Sequence, residues 1–325
     1  MARCCYDLHG VVVATQSADA ELAVFLEPIL APLAAAGPAP EDWSIGLELR
    51  AEVQPTPPGA AVVWDGTLPE GIAATLSDDG DGRHFVAPGR FHMTLPRSAR
   101  AVNISVTTEG RAAPGGMAAF WLIDHLLAVH DRHLLHGACL IAPAADGALA
   151  LFAPSGTGKT TTALALARAG FALAGDDALV LRNTDQGALM WAVPRRLRVH
   201  RKTAAMMPWL EPSLGEWSGD EQAVSRESLS GVVGVAGPTL SRAVGIVVLR
   251  PPNANGHHIE RIGKAEAVSH IVADNVRRAP MGVEPHAQAA FAAIARFVAR
   301  TPAVALSVGP DPNSLDPTAI LSALR

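Results

Sequence analysis

The sequence has few aromatic residues, few charges and no continuous basic tract. Aromatic side chains make up 5% of its 325 residues and charged side chains 18%, and the formal net charge is −5. This acidic balance argues against a nucleic acid as the main partner. Because 49% of the residues are hydrophobic, the chain can nevertheless bury a sizeable core, and its length allows two domains.

Cysteines and long hydrophobic runs are also scarce. The 3 cysteines provide neither an even disulfide framework nor the spacing of metal ligands, which favours a reducing cytoplasm. No apolar segment typical of a signal peptide follows the start, and the stretch 232–249 is interrupted by Pro238 and Arg242. We therefore expect a soluble cytoplasmic protein without a membrane partner.

A glycine-rich segment is the strongest signal in the chain. Residues 153–160 read Ala-Pro-Ser-Gly-Thr-Gly-Lys-Thr, between a strand-like apolar run at 147–152 and a helix-like stretch at 161–169. Small residues allow backbone N–H groups to surround phosphate oxygens, and the following helix adds the partial positive charge of its N-terminus. The pattern predicts a phosphate-binding loop, although alanine replaces the usual first glycine; a polar surface turn is the alternative.

This loop predicts a nucleoside triphosphate and Mg²⁺ as ligands. Lys159 is expected to reach the β- and γ-phosphates, and the Thr160 hydroxyl to ligate the metal. The residues predicted to bind the nucleotide are Pro154, Ser155, Gly156, Thr157, Gly158, Lys159, Thr160 and Thr161.

Two adjacent carboxylates follow the loop. Asp176 and Asp177 lie between the apolar runs 171–174 and 178–181, far enough after Lys159 for one helix and one strand to return the chain to the phosphate site. Because side chains alternate along a strand, we expect one carboxylate to bind the metal and the other to face the attacking nucleophile. A polar turn between strands is the alternative.

A histidine at the head of an apolar strand completes a family pattern. His136 alone is no more than a common surface or core residue type. However, the order of His136, a strand, the loop, a helix and the two aspartates resembles the kinase domain of bacterial HPr kinase/phosphorylase over residues 134–181. The resemblance implies an α/β fold similar to phosphoenolpyruvate carboxykinase, with ATP as donor and a protein serine as acceptor.

The resemblance also implies roles for individual residues. His136 and Asp176 would pair to take the proton from the serine, Asp177 would bind the metal with Thr160, and Lys159 would neutralise the transferring group. The residues alone leave open which aspartate is the base.

Departures from the family pattern change the expected substrate. Thr161 stands where the bifunctional members carry glutamate, and the basic segment 192–200 replaces a glycine-rich stretch. These departures favour a likeness to kinase-only relatives over phosphorylase activity or HPr as substrate. Such relatives phosphorylate a serine of a ribosomally made precursor, including precursors of lasso peptides.

Further cations follow the aspartates. Arg198, which alternates with Leu197 and Val199, is predicted to lie on the polar face of a strand and to have a catalytic role. Arg277 is interpreted either as a cation near the transferring group or as part of a solvated helix face. The whole cluster is either an exposed edge or a clamp for phosphate or an acidic peptide; it comprises Arg195, Arg196, Arg198, Arg201 and Lys202.

The expected architecture has two domains. Residues 1–115 read as a small strand-rich α+β domain with a hypothetical role in peptide recognition, and residues 116–325 as an α/β phosphate-loop kinase domain, with a linker at 111–116. The leading interpretation is an ATP- and Mg²⁺-dependent serine kinase, most simply acting on a ribosomally synthesised precursor peptide. The alternatives are a nucleotide-hydrolysing switch, a non-catalytic scaffold or a small-molecule kinase, and a homo-oligomer is left open.

Overall fold

The computed structural model describes residues 1–37, 40–97, 99–276 and 284–325. The chain packs into two compact units, Met1–His130 and a second unit formed by residues 131–276 and 287–325. The segment 111–116 and the helix after it belong to the first unit, so the packing boundary falls beyond residue 115. Among the described residues, no helix is both long and apolar enough to cross a membrane.

The first unit is built on a mixed sheet with the strand order β1-β2-β3-β8-β7-β6-β5-β4. Strands β2, β3 and β8 run parallel to one another, and the other neighbours are antiparallel. The strands are β1 (Ala2–Asp7), β2 (Val12–Ser17), β3 (Trp43–Leu49), β4 (Ala61–Thr67), β5 (Ala73–Asp78), β6 (Gly82–Ala87), β7 (Phe91–Pro96) and β8 (Ala101–Val106). The helices are α1 (Ala20–Ala23), α2 (Glu27–Leu30) and α3 (Met117–Ala128), with 3-10 turns at Ala31–Leu33 and Ala113–Gly115.

Alternating side chains give this sheet one apolar face. Ile45 and Leu47 of β3 are buried, and the register places Ile45 opposite the buried Val102 of β8. Helix α3 contacts the sheet, with the Trp121 ring centroid 5.3 Å from that of Phe85. This contact explains why α3 packs with the strands that precede it.

The second unit contains a larger mixed sheet with the strand order β17-β12-β10-β11-β18-β14-β13-β9, in which β20 pairs with β18 and β19 pairs with β20. Its strands are β9 (Arg132–Leu135), β10 (Ala138–Ala142), β11 (Gly147–Phe152), β12 (Ala172–Gly175), β13 (Leu179–Thr184), β14 (Gly187–Ala192), β17 (Gly234–Val235), β18 (Ser241–Arg250), β19 (His258–Arg261) and β20 (Ala303–Ser307). A separate antiparallel pair is formed by β15 (Leu197–His200) and β16 (Glu221–Val224).

Helices of the second unit lie on both faces of its sheet. They are α4 (Lys159–Arg168), α5 (Arg201–Met206), α6 (Arg226–Ser230), α7 (Lys264–Asn275), α8 (Glu284–Arg300) and α9 (Pro317–Leu324), with 3-10 turns at Pro143–Ala145, Pro208–Ser213 and Pro312–Ser314. Strand β11 is buried along its whole length, as expected for a strand between two helical layers. Leu149 and Leu151 pack in the core with α4 and α9, whereas Ala150 and Phe152 pack with α7 and α8. The chain is therefore a mixed α/β protein with large sheets, in agreement with the predicted class.

Candidate functional site

The glycine-rich loop joins β11 to α4, which begins at Lys159. Gly156 and Gly158 have φ values of +80° and +99°, a region that L side chains rarely adopt, and an added Cβ at either position would meet no atom within 4 Å. The Thr157 N–H donates to the Pro154 carbonyl at 3.1 Å and closes the turn. The loop thus presents an open surface at a helix N-terminus, and this arrangement fits a phosphate group.

Lys159 lies between the two aspartates. Its ammonium donates to Asp176 Oδ1 at 2.8 Å and also to Asp177 Oδ1, and the residue is only 8% exposed. Burial acts to lower the pKa of Lys159, but the two carboxylates outweigh it and raise that pKa above its ordinary value. The site therefore holds a charged ammonium against two carboxylates at the start of α4.

Asp176 is directed toward the hydroxyl of Thr160. Thr160 Oγ1 donates to Asp176 Oδ2 at 2.5 Å, and the Asp177 N–H donates to Asp176 Oδ1 at 2.9 Å. Hydroxyl and carboxylate oxygens are hard ligands of the kind that Mg²⁺ prefers. Thr160 and Asp176 are consequently the two side chains here that fit a magnesium ion shared with bound phosphates.

Asp177 has a left-handed backbone, with φ +65°, and a different set of neighbours. Its Oδ1 lies 3.7 Å from His136 Nδ1. Burial would raise the pKa of Asp177, but Lys159, His136 and Arg195 together lower it below the ordinary value, so this carboxyl is ionised. The family resemblance implies a pair of His136 and Asp176; in the structure His136 lies beside Asp177, while Asp176 accepts hydrogen bonds from Lys159 and Thr160.

The pKa of His136 lies below its ordinary value, which favours the neutral imidazole near pH 7. Burial and the Lys159 charge lower its pKa, against the opposing effect of the nearby aspartates. Its backbone N–H donates to Asn275 Oδ1 at 2.5 Å, and Asn275 Nδ2 donates to the Ile271 carbonyl at 2.9 Å. The side chain of the last residue of α7 therefore fixes the main chain at His136. Sequence reasoning missed Asn275, since no local pattern connects two residues 139 positions apart.

Two further predicted residues point elsewhere. Arg198 is exposed on β15 and lies 3.3 Å from Glu221 of β16, so the structure does not bring it against the aspartates. The strand and its alternation with buried Leu197 and Val199 are nevertheless as predicted. Thr161 contributes its hydroxyl to a buried hydrogen bond with Thr203 at 2.9 Å rather than to the loop surface. Arg277 lies outside the described residues.

Arg195 is the member of the basic cluster whose pKa is influenced by the charges of the two aspartates. Burial lowers the pKa of Arg195, whereas the charges of Asp177 and Asp176 act to raise it. The Val193 N–H donates to the Ala178 carbonyl at 2.9 Å, which holds the segment before Arg195 beside the aspartates. Sequence reasoning preferred Arg198 because alternation reveals a strand face but not the chain reversal that brings Arg195 to the site.

No family model and no curated protein sequence matches the chain. Among solved structures, the Hpr(Ser) kinase/phosphatase from Coxiella burnetii is similar to 40% of this chain and 77% of its own, with 11% sequence identity and a TM-score of 0.26. The interpretation of the site therefore depends on the geometry of its own residues.

Proposed function

We propose that the chain is an ATP- and Mg²⁺-dependent kinase that transfers the γ-phosphate to a serine hydroxyl of a peptide or protein. One observation carries the proposal: Lys159 lies between Asp176 and Asp177, with Thr160 on the first aspartate and His136 near the second. An open glycine loop at the N-terminus of α4 precedes this cluster. A kinase site needs N–H groups that bind phosphate oxygens, a cation that neutralises their charge, a carboxylate that binds the metal and a base for the acceptor hydroxyl.

Each residue of the site has a chemical task in this proposal. The loop and Lys159 bind and neutralise phosphate oxygens, and Thr160 with Asp176 would hold the magnesium ion, which supplies positive charge when it is bound. Asp177 aligns the serine hydroxyl and accepts its proton, because an ionised carboxylate is able to act as general base. His136 lies 3.7 Å from Asp177 Oδ1, the oxygen that Lys159 also contacts, and helps to hold this carboxylate in place.

The acceptor in this proposal is a serine of a ribosomally synthesised precursor peptide. The combination of Thr161 after the loop and a basic segment after β14 supports the kinase-only function rather than a reverse, phosphorolytic reaction. Threonine has no carboxylate to offer to a reverse reaction, and the Thr161 hydroxyl is hydrogen-bonded to Thr203.

Mass spectrometry tests the proposal. The protein is incubated with Mg-ATP and a serine-bearing precursor peptide encoded beside it, with Lys159→Ala as the control after its folded state has been verified by circular dichroism. A phosphate on the peptide serine, absent with Lys159→Ala, is the expected result. ATP hydrolysis without any transfer would favour a nucleotide-hydrolysing switch, and the absence of both hydrolysis and nucleotide binding would favour a scaffold.

A further inference from the structure

Five cations of the second unit lie within the eight residues 195–202, and we call them the basic patch: Arg195, Arg196, Arg198, Arg201 and Lys202. All except the half-buried Arg195 are exposed. They occupy the segment before β15, β15 itself and the start of α5. Because the whole chain carries a formal charge of −5, this surface differs in sign from the molecule that bears it.

Two guanidinium groups of the basic patch are held in place by their neighbours. Arg201 lies over the Trp217 ring at 4.6 Å and donates to the Gly219 carbonyl at 3.1 Å. Arg198 is 3.3 Å from Glu221. Fixed arginines lose less rotamer entropy when they bind an anion, and their planar donors match carboxylate groups.

Carboxylates also border the patch, but they are fewer than the cations. Glu221 contacts His200 at 3.2 Å and also pairs with Arg198, and Asp220 lies 3.4 Å from His200. Glu216 is exposed in the preceding segment. A ligand that approaches Arg196 and Lys202 therefore meets a surface with excess positive charge.

The basic patch adjoins the candidate active site at two points. At one end, the Val193 N–H donates to the Ala178 carbonyl at 2.9 Å and holds the segment before Arg195 next to the aspartates. At the other end, Thr203 of α5 bonds to Thr161, the third residue of α4. A peptide whose serine reaches Asp177 would consequently lie with its neighbouring residues against these cations.

We propose that the basic patch binds acidic side chains of the acceptor peptide, so that the kinase selects serines flanked by aspartate or glutamate. This inference rests on the proposed kinase function. Nucleotide phosphates are the less suitable ligand, because the exposed cations lie just before β15, on β15 and on α5, whereas the glycine loop and Lys159 provide the phosphate site. Complementary charges at such a surface give specificity more than raw affinity.

A peptide library with a fixed central serine and degenerate flanking positions tests the assignment. Wild-type protein with Mg-ATP should enrich Asp and Glu at one or more flanking positions. The double variant Arg196→Glu/Lys202→Glu, which leaves the Arg198 and Arg201 contacts intact, should lose this selection and favour Lys or Arg at the same positions. Its kcat/KM for an acidic peptide should fall about tenfold or more, because the reversed charges repel the peptide. The effect should be measured at low salt, since a higher ionic strength screens these charges. Arg325→Glu, at an exposed position outside the patch, is the matched control and should behave as wild type.

The possible outcomes separate this assignment from the kinase function. Phosphorylated peptides without any acidic preference would overturn the role of the basic patch and leave the kinase intact. A raised KM for ATP in the double variant, with unchanged peptide selection, would overturn it in favour of nucleotide contacts. If wild-type protein phosphorylates no peptide under conditions in which it hydrolyses ATP, the proposed function fails first and this assignment fails with it.

Discussion

The two neighbouring aspartates of the candidate site differ in backbone conformation and in their contacts. Asp177 adopts φ +65°, which is rare for a residue with a side chain, and its carboxylate approaches His136 while that of Asp176 accepts from Thr160. The shared contact is Lys159, which reaches both carboxylates. Strain of this kind is retained where surrounding contacts over-determine the conformation, as they do here.

Exchanging each aspartate for asparagine should separate the metal carboxylate from the base. Asp177→Asn should lower kcat for phosphate transfer by about 10²- to 10⁴-fold, because it removes a general base, with little change in ATP affinity. Asp176→Asn should instead raise the Mg²⁺ concentration for half-maximal rate by about 10- to 100-fold. Steady-state kinetics with Mg²⁺ titrations measures both effects. If Asp176→Asn lowers kcat and Asp177→Asn changes the Mg²⁺ dependence instead, Asp176 is the base.

Asn275 is expected to act as a positioning residue through His136. Asn275→Ala removes the acceptor of the His136 N–H, so kcat should fall by about tenfold to hundredfold while KM for ATP stays unchanged. Asn275→Asp keeps an acceptor oxygen and should recover part of the rate. Unfolding in urea controls for stability, because the lost hydrogen bond alone should cost about 1 kcal/mol. A raised KM for ATP with normal kcat would contradict this role.

The sequence predicted which residues are close together where the relationship is local. The loop, Lys159 and Thr160 follow from one motif, and the aspartates follow from the helix and strand after it. The family resemblance implies a pair of His136 and Asp176, whereas the left-handed backbone of Asp177, next to His136, is not visible in residue types. Asn275 depends on α7 returning to the end of β9, a tertiary contact that no pattern of this chain encodes locally.

Among the elements, β11 and α4 could be predicted, because an apolar run, a glycine loop and an alanine-rich stretch follow one another directly in the sequence. The order of strands in the sheet could not be, since β18 and β20 lie far along the chain yet run parallel to β11 and to each other. Such pairings depend on how long connections fold back, which composition does not determine.

Helices α4 and α5 are joined by a buried pair of hydroxyls that serves as a test of element packing. Thr161→Val leaves the Thr203 hydroxyl without this partner inside the core and should lower the free energy of unfolding by about 1–3 kcal/mol. Thr203→Val should behave in the same way. The double valine variant should be less destabilised than the sum of the two, because no buried hydroxyl of the pair remains.

Urea unfolding of the wild type, the two single valine variants and the double variant gives the four free energies of this double-mutant cycle. Strict additivity of the two single changes would show that the hydrogen bond does not couple α4 to α5. Nucleotide binding serves as the functional control, since Thr160 and Lys159 are unchanged in all four proteins.

At the scale of the whole molecule, the glycine that precedes the predicted linker 111–116 has a packing role. Gly110 packs so closely on the Arg90 carbonyl that an added Cβ would lie 2.0 Å from it, and the Gly110 N–H donates to Thr107 Oγ1 at 3.1 Å. Glycine is therefore needed at position 110 for close packing. Sequence composition does not distinguish a glycine required for packing from one that serves a linker, whereas the contacts of Gly110 do.

The two compact units lead to a prediction about where a nucleotide stabilises the chain. All the residues of the candidate site lie in the second unit, and a ligand stabilises the states to which it binds, by about 2.7 kcal/mol at one hundred times its dissociation constant. Mg-ATP, or a non-hydrolysable analogue, should therefore slow amide hydrogen exchange in β11, α4 and β12, because local opening there requires release of the ligand. Exchange in the strands β4–β7 of the first unit should remain unchanged. Hydrogen exchange with mass spectrometry measures both regions in one experiment, with Lys159→Ala as the control. Equal protection of the two regions would mean that they open together, and protection confined to β4–β7 would place the nucleotide outside the site described above.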